Sequence, residues 1–407
     1  STSLKNLTFV VSPSPLFVAI GALIGVRAGL SMLFGAVAAW CVFGPMIIEN
    51  GWVTGSLMLE GEKVTLLLTD PRWVEAKGEA GWFKELVTWL LWPGVAMMVT
   101  ASLTAFAFSW RSVIAALKGM KQGVSTNEIT DDVPKNVHVT LIVLVSVIAI
   151  VLQYTLFGIG WGLATFAVLL TFLLAIVATR VSGETGITPV GAMGKVTQLT
   201  FGVLESGNVS ANLMAANVTG GAASQCADLL HDMKTGLLIG ASPRQQTYGQ
   251  LAGVIAGAVF GSLGYLVLVG DAANLQKLWD DPEWAMPAVV QWKAVAELFQ
   301  GGLDNLPTGA IAAMIWGGLF GVLGAVLEKV LPKKWSPWVP SPTAVGIAFV
   351  IPAFYAVSMA LGGAIAWFLG RKYKKWTTRF LIVIAAGVMA GDSLTGVCIA
   401  IADILNN

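Results

Sequence analysis

The chain has 407 residues, 56% of them apolar and only 12% charged, against about 25% charged in an average soluble domain. Its 24 basic and 23 acidic residues cannot clothe a water-soluble protein of this length, and their near balance leaves no basic footprint for nucleic acid. The three cysteines, Cys41, Cys226 and Cys398, lie too far apart to suggest a disulfide framework or a zinc cluster.

In chain order, crossings that each need about 20 apolar residues are predicted near 14–48, 84–110, 137–157, 159–180, 243–270, 306–327, 342–369 and 379–403. The fold class is therefore all-α: a polytopic transmembrane helical protein, read as one transporter domain over 1–407. Arg27 splits the first run into two short helices, because a charge at the centre of a plain crossing is costly. The connections 49–85 and 271–304 carry more acid than base and are predicted to be extramembrane and external. Arg111, Lys118, Lys121 and Lys135 mark 111–135 as internal. Five positives in 371–379 (Arg371, Lys372, Lys374, Lys375, Arg379) do the same there, by the bias of basic residues toward the cytoplasmic side. Trp73, Trp82, Trp89, Trp92, Trp335, Trp338 and Trp376 sit near run ends and are predicted to anchor at the membrane interface.

An internal repeat relates 13–40 to 340–367. At a constant offset of 327, Pro13-Ser14-Pro15, Val18, Ile20, Ile24, Ser31, Met32, Gly35, Ala39 and Trp40 all recur, which is 11 identities in 28 positions. Pro352 in one copy and Arg27 in the other fall where a hairpin would bend. The charge pattern of the flanks predicts copies inverted with respect to the membrane, the arrangement in which broken helices meet around a substrate.

The segment 181–242 is different, being rich in Gly, Ser, Thr, Asn and Ala. Such backbone cannot face lipid, where each unpaired polar group costs several kcal/mol. Helices interrupted at its Gly-rich stretches, lining a cavity or packed in protein, are predicted. Gly183 to Lys195 holds Glu184, Thr185, Thr188 and four glycines between 183 and 194. Its likeness to a phosphate loop fails, since Val196 stands where Ser or Thr would meet magnesium. Asn212 to Arg244 holds Asn212, Asn217, Ser224, Gln225, Asp228 and Arg244. Asp392 is the one charged residue between Arg379 and Asp403. Ionisable groups at membrane depth are functional candidates by default. Glu184, Asp228 and Asp392 are the proton-coupling candidates, because partial burial lifts a carboxylate toward neutral pH. Thr185, Thr188, Lys195, Asn212, Asn217, Ser224, Gln225 and Arg244 are the substrate-binding candidates, with Lys195 and Arg244 suited to anions. Packed helices with a cytoplasmic charge cluster would explain several of the same residues. His231 has no second His or Cys beside it, so neither a metal site nor a cofactor is predicted.

The run Thr185-Gly186-Ile187-Thr188-Pro189-Val190-Gly191-Ala192-Met193-Gly194-Lys195 resembles the hallmark of the oligopeptide transporter (OPT) family. The runs Asn212 to Ala216, Thr219 to Gln225 with Asp228-Leu229, and Gly240 to Arg244 do so as well. Spacing and order look like those of prokaryotic members, over nearly the whole chain. The resemblance implies a proton-coupled symporter of small peptides or of metal chelates, multi-pass in a bacterial inner membrane. Substrate, protons and membrane lipid would be its partners. It also implies more helices than eight, so that an N-terminal part is expected to be missing. A passive channel is the alternative. A membrane-embedded enzyme is less favoured, as no paired catalytic motif is present.

Overall fold

The computed structural model describes residues 3–10, 14–59, 62–78, 81–111, 114–115, 118, 133–185, 188–271, 275, 286–302, 306–332 and 334–406. The side chains of 58–59, 62–63, 184–185, 268, 337 and 400–406 also lie outside the description. Eight described helical stretches are long and apolar enough to cross a membrane, close to the eight predicted runs. Contacts divide the chain into two compact units: 1–101, 271–294 and 303–407, and 102–270 with 295–302.

In the first unit, α1 (Pro15–Ala36) runs into a π-helical segment (Val37–Phe43) and the short α2 (Gly44–Glu49). A hairpin of β1 (Thr54–Leu59) and β2 (Glu62–Leu67) follows, then α3 (Pro71–Lys77) and α4 (Phe83–Ala107). The hairpin corrects the expectation that all regular structure is helical. Thr54, Leu57, Val64 and Thr65 suit a pleated surface, and pairing Ser56 with Thr65 and Leu57 with Val64 satisfies the backbone outside the apolar runs. Leu66, Leu68, Trp73, Trp82 and Trp89 are all buried. The last three are therefore core residues, not the exposed anchors predicted. Trp73 meets Trp82 edge-on at 6.5 Å, and the Trp89 indole donates to the Thr308 carbonyl at 2.9 Å. Trp335, Trp338 and Trp376 are exposed, as an interfacial place requires.

The repeat is plain in three dimensions. Gly25 has φ 84° and ψ 168°, which breaks α1; that conformation is open essentially to Gly alone. At the equivalent position of the second copy Pro352 stands between α12 (Pro342–Ala348) and α13 (Ala353–Lys372). A proline breaks a helix by lacking an N–H and by clashing with the preceding turn. The two copies thus interrupt the same position by different chemistry, and the break falls two residues before Arg27. Glycines let the copies touch backbone to backbone. A Cβ on Gly35 would lie 2.6 Å from the Val345 carbonyl oxygen, and one on Gly362 would meet the Val18 carbonyl. Because Val18 and Gly35 are the counterparts of Val345 and Gly362, these contacts exchange under an approximate two-fold axis. The early residue of each copy meets the late residue of the other, the antiparallel sense of an inverted repeat. Arg27 pins the break, pairing with Glu328 at 2.8 Å and donating to the Val339 carbonyl at 3.0 Å. Glu328 belongs to α11 (Ala310–Val330), and α14 (Lys374–Asn406) ends the chain.

The second unit holds α5 (Lys135–Phe157), α6 (Trp161–Thr185), α7 (Val190–Leu204), α8 (Val209–Ile239) and α9 (Pro243–Val269). The chain leaves helix between α6 and α7, at the first Gly-rich stretch. The second stretch, Gly220-Gly221, is different: it sits inside the unbroken 31-residue α8. Ala216, Ala222 and Ala223 around it favour helix, and Gly220 is buried. The connection 271–304 also contains a helix that the sequence reading left out, α10 (Pro287–Gly301), which spans the boundary between the units.

Candidate functional site

Helix α7 has 15 residues, a length of about 22 Å at 1.5 Å per residue, short of the roughly 30 Å hydrocarbon layer. It cannot cross by itself. Gly207 (φ 96°) turns the chain back, and Asn208 caps α8 by accepting from the Ala211 amide at 3.0 Å. The result is an antiparallel α7–α8 pair packed on α6.

A buried polar layer locks this pair. The Thr219 hydroxyl lies 2.9 Å from that of Thr171 on α6 and 3.1 Å from that of Thr197 on α7. Nearer the turn, the Asn212 amide donates to the Gln198 carbonyl at 2.7 Å, and the Gln198 amide donates to Asn212 Oδ1 at 3.2 Å. Thr197, Gln198, Asn212 and Thr219 are all buried. Apolar clusters bracket the layer. Ala164, Ala167, Phe201, Ala211 and Ala215 lie on one side, with Leu174, Ala178, Ala192, Met193 and Ala223 on the other. With lipid no better a solvent for polar groups than the core, such bonds hold helices together. Lys195 is also buried, 3% exposed, and its Nζ donates to the Gly191 carbonyl at 3.4 Å.

Where the first Gly-rich stretch interrupts the helix, the Ser182 and Thr188 hydroxyls bond at 2.9 Å across the break. His231 Nε2 of α8 approaches Ser182 Oγ at 3.5 Å. Glu184 and Thr185 end α6 by their backbone, and their side chains lie outside the described residues.

The opposite face of α8 is open. Asn217, Gly221, Gln225 and Asp228 are exposed and Ser224 is half-buried. Their spacing of three to four residues puts them on one stripe, about 16 Å long over eleven residues. Gln225 and Asp228 line a cavity of about 180 Å³ with Thr247 and Gln250 of α9. Just beyond it, Gln246 and Gln250 of α9 both donate to Asp232 of α8. Arg244 is exposed in the first turn of α9, 6.0 Å from the Tyr248 ring. Asp392 belongs to the first unit and is exposed on α14. Burial, the reason for choosing Asp228 and Asp392 as proton carriers, is not what this chain gives either of them.

The structure therefore sorts the candidates. Asn212 and Lys195 join the buried framework, Thr188 closes the helix break, and Asn217, Ser224, Gln225 and Asp228 share the open stripe. Sequence reasoning missed Thr171, Thr197, Gln198 and Thr219. Their one signal was register: each lies on the face that its helix turns inward, a placement visible only once the helices are paired.

Eight described helices long and apolar enough to span, an antiparallel repeat of broken helices and a short helix turned back on a polar core define a polytopic membrane protein. The profile of the family described as OPT oligopeptide transporter protein matches residues 1–402. The chain belongs to the oligopeptide transporter family, a family of membrane transporters. It is 25% identical to a Saccharomyces cerevisiae protein named "Putative oligopeptide transporter", over 97% of this chain and 58% of that one. It is 24% identical to an iron-phytosiderophore transporter of Oryza sativa subsp. japonica, over 93% and 56%. A metal-nicotianamine transporter of Arabidopsis thaliana is also 24% identical, over 95% and 59%. The chain thus spans less than two thirds of the length of these relatives.

Proposed function

We propose that the chain forms the substrate-carrying part of a secondary transporter, a symporter of small peptides or peptide-like metal chelates with protons in a bacterial inner membrane. The observation that carries this reading is the polar stripe of α8, held by a buried hydrogen-bonded layer on its reverse face. Exposed amide, hydroxyl and carboxylate groups on a helix among membrane-spanning neighbours are costly against lipid, so the stripe faces a cavity. About 16 Å accommodates four or five residues of extended peptide at 3.3–3.6 Å each. Asn217 and Gln225 offer donors and acceptors to peptide amides or chelate carboxylates, and Asp228 offers a charge to an ammonium group. Lys195 and Arg244 supply positive charge for carboxylates, with Thr185 and Thr188 at the helix break. Among the proton carriers, Asp228 is the best placed because it lines the cavity between α8 and α9. Glu184 and Asp392 are the further candidates.

The relatives' names support peptide and chelate as substrate classes and a transporter in place of an enzyme. A passive channel would use the same stripe without a proton. The test is uptake by the full-length protein in proteoliposomes, offering labelled di- to pentapeptides and metal–nicotianamine chelates. Accumulation driven by an inward proton gradient, abolished by a protonophore, supports the symporter. Equilibration that ignores the gradient contradicts it.

A further inference from the structure

The join between α13 and α14 carries a feature that transport does not use. The two helices are separated by the single residue Tyr373 (φ −128°, ψ 52°). Both are among the stretches able to cross a membrane. Arg371, Lys372, Lys374, Lys375 and Arg379 crowd this elbow, all exposed. The sequence supplies no acid between Glu328 and Asp392, and among the described residues none of the five forms an ion pair. Instead three of them lie over aromatic rings. The Arg371 guanidinium is 4.1 Å from the Trp367 ring, Lys372 is 5.5 Å from Tyr373, and Arg379 is 5.2 Å from Phe380.

Uncompensated cations repel one another, and cation–π contacts orient them without neutralising them. The described residues supply no counter-charge to them. The chemistry of a ligand that would do so follows from the setting. Leu361, Ile365 and Phe368 of α13, and Ile382 and Val383 of α14, are exposed on the spans that lead away from the elbow. A ligand that is anionic at one end and hydrocarbon along the rest satisfies both features. We propose that this elbow binds the phosphate headgroup of an anionic phospholipid, held by Arg371, Lys374 and Lys375. Its acyl chains lie on the apolar faces of α13 and α14. Clustered Lys and Arg beside a membrane span attract anionic lipid in this way, and the planar guanidinium fork suits phosphate oxygens. Trp367, Tyr373 and Trp376 form the aromatic collar at headgroup level.

The test uses the full-length protein in nanodiscs of phosphatidylcholine mixed with phosphatidylglycerol, followed by native mass spectrometry. The wild type should retain phosphatidylglycerol several-fold over phosphatidylcholine. Arg371→Gln/Lys374→Gln/Lys375→Gln should lose that preference, whereas Lys84→Gln, in another segment, should keep it. A photoactivatable phosphatidylglycerol should label peptides covering 367–380 of the unmodified protein, a readout that does not require the variant to fold. Equal retention of both lipids by the wild type, an undiminished preference in the triple variant, or labelling that spares 367–380 would overturn the proposal. In that case the cluster only sets the orientation of the chain in the membrane.

Discussion

The seam between the repeat copies makes a quantitative prediction. A methyl group on Gly35 would sit 2.6 Å from the Val345 carbonyl oxygen, where ordinary contact begins at 3.4 Å. The helices must therefore part by about 0.8 Å, and the obstacle is backbone, which no rotamer change can move. Overpacking of this kind costs about 1–3 kcal/mol. At about 2 °C per kcal/mol for a large domain, Gly35→Ala should lower the unfolding midpoint by about 2–6 °C. Gly362→Ala presses on the reciprocal Val18 carbonyl and should do at least as much harm. The control is Gly264→Ala in α9, where a Cβ would meet nothing within 4 Å. Helix propensity alone should leave it neutral or more stable by up to about 1 kcal/mol. Thermal unfolding of detergent-purified protein, followed by fluorescence-detected size exclusion, reads all three. If Gly35→Ala and Gly362→Ala unfold at the wild-type temperature, the backbone-to-backbone seam is refuted.

Thr219→Val removes the hydroxyl that bridges Thr171 and Thr197. At about 0.6 kcal/mol per membrane-buried bond, up to about 1.7, it should lower the unfolding midpoint slightly more than Thr155→Val, whose hydroxyl bonds only within its own helix. An equal effect from both would mean that the hydroxyl layer does not bind the helices. Glu328→Gln should destabilise the break near Gly25. The swapped pair Arg27→Glu/Glu328→Arg should recover part of the loss, with a coupling of about 0.5–3 kcal/mol in a double-mutant cycle; purely additive losses would deny the ion pair that role. Asp228→Asn should abolish gradient-driven uptake while leaving substrate exchange partly intact, and normal accumulation by the variant would remove Asp228 from the proton path.

The spans were legible because twenty-residue apolar runs have few other physical explanations; seven of the eight sit within about five residues of their predicted places, and the run predicted at 342–369 spans only from Ala353 because Pro352 breaks it. The repeat was legible as well, since Pro-Ser-Pro and Ala-Trp recur in register. Its breaking residue was not, because Gly25 and Pro352 share a role without sharing chemistry. The buried tryptophans misled for a physical reason: an indole near the end of an apolar run suits an interface or a small core equally, and only the β1–β2 hairpin decides for Trp73. In the candidate site, composition pointed to a polar segment but could not assign faces. Asn212 and Asn217 are five residues apart on one helix, yet one is locked against Gln198 and the other is open. That distinction depends on where α7 turns back at Gly207, a tertiary fact that polarity alone does not encode.

The central claim is that the open face of α8 carries substrate. The direct measurement is proton-gradient-driven uptake of labelled peptide or chelate by full-length wild type and by Asn217→Leu/Gln225→Leu in the same proteoliposomes. Both side chains are exposed, so the variant should unfold at the wild-type temperature. Loss of two substrate hydrogen bonds at about 1 kcal/mol each should weaken uptake about tenfold or more at limiting substrate. Wild-type uptake by a folded variant would contradict the account.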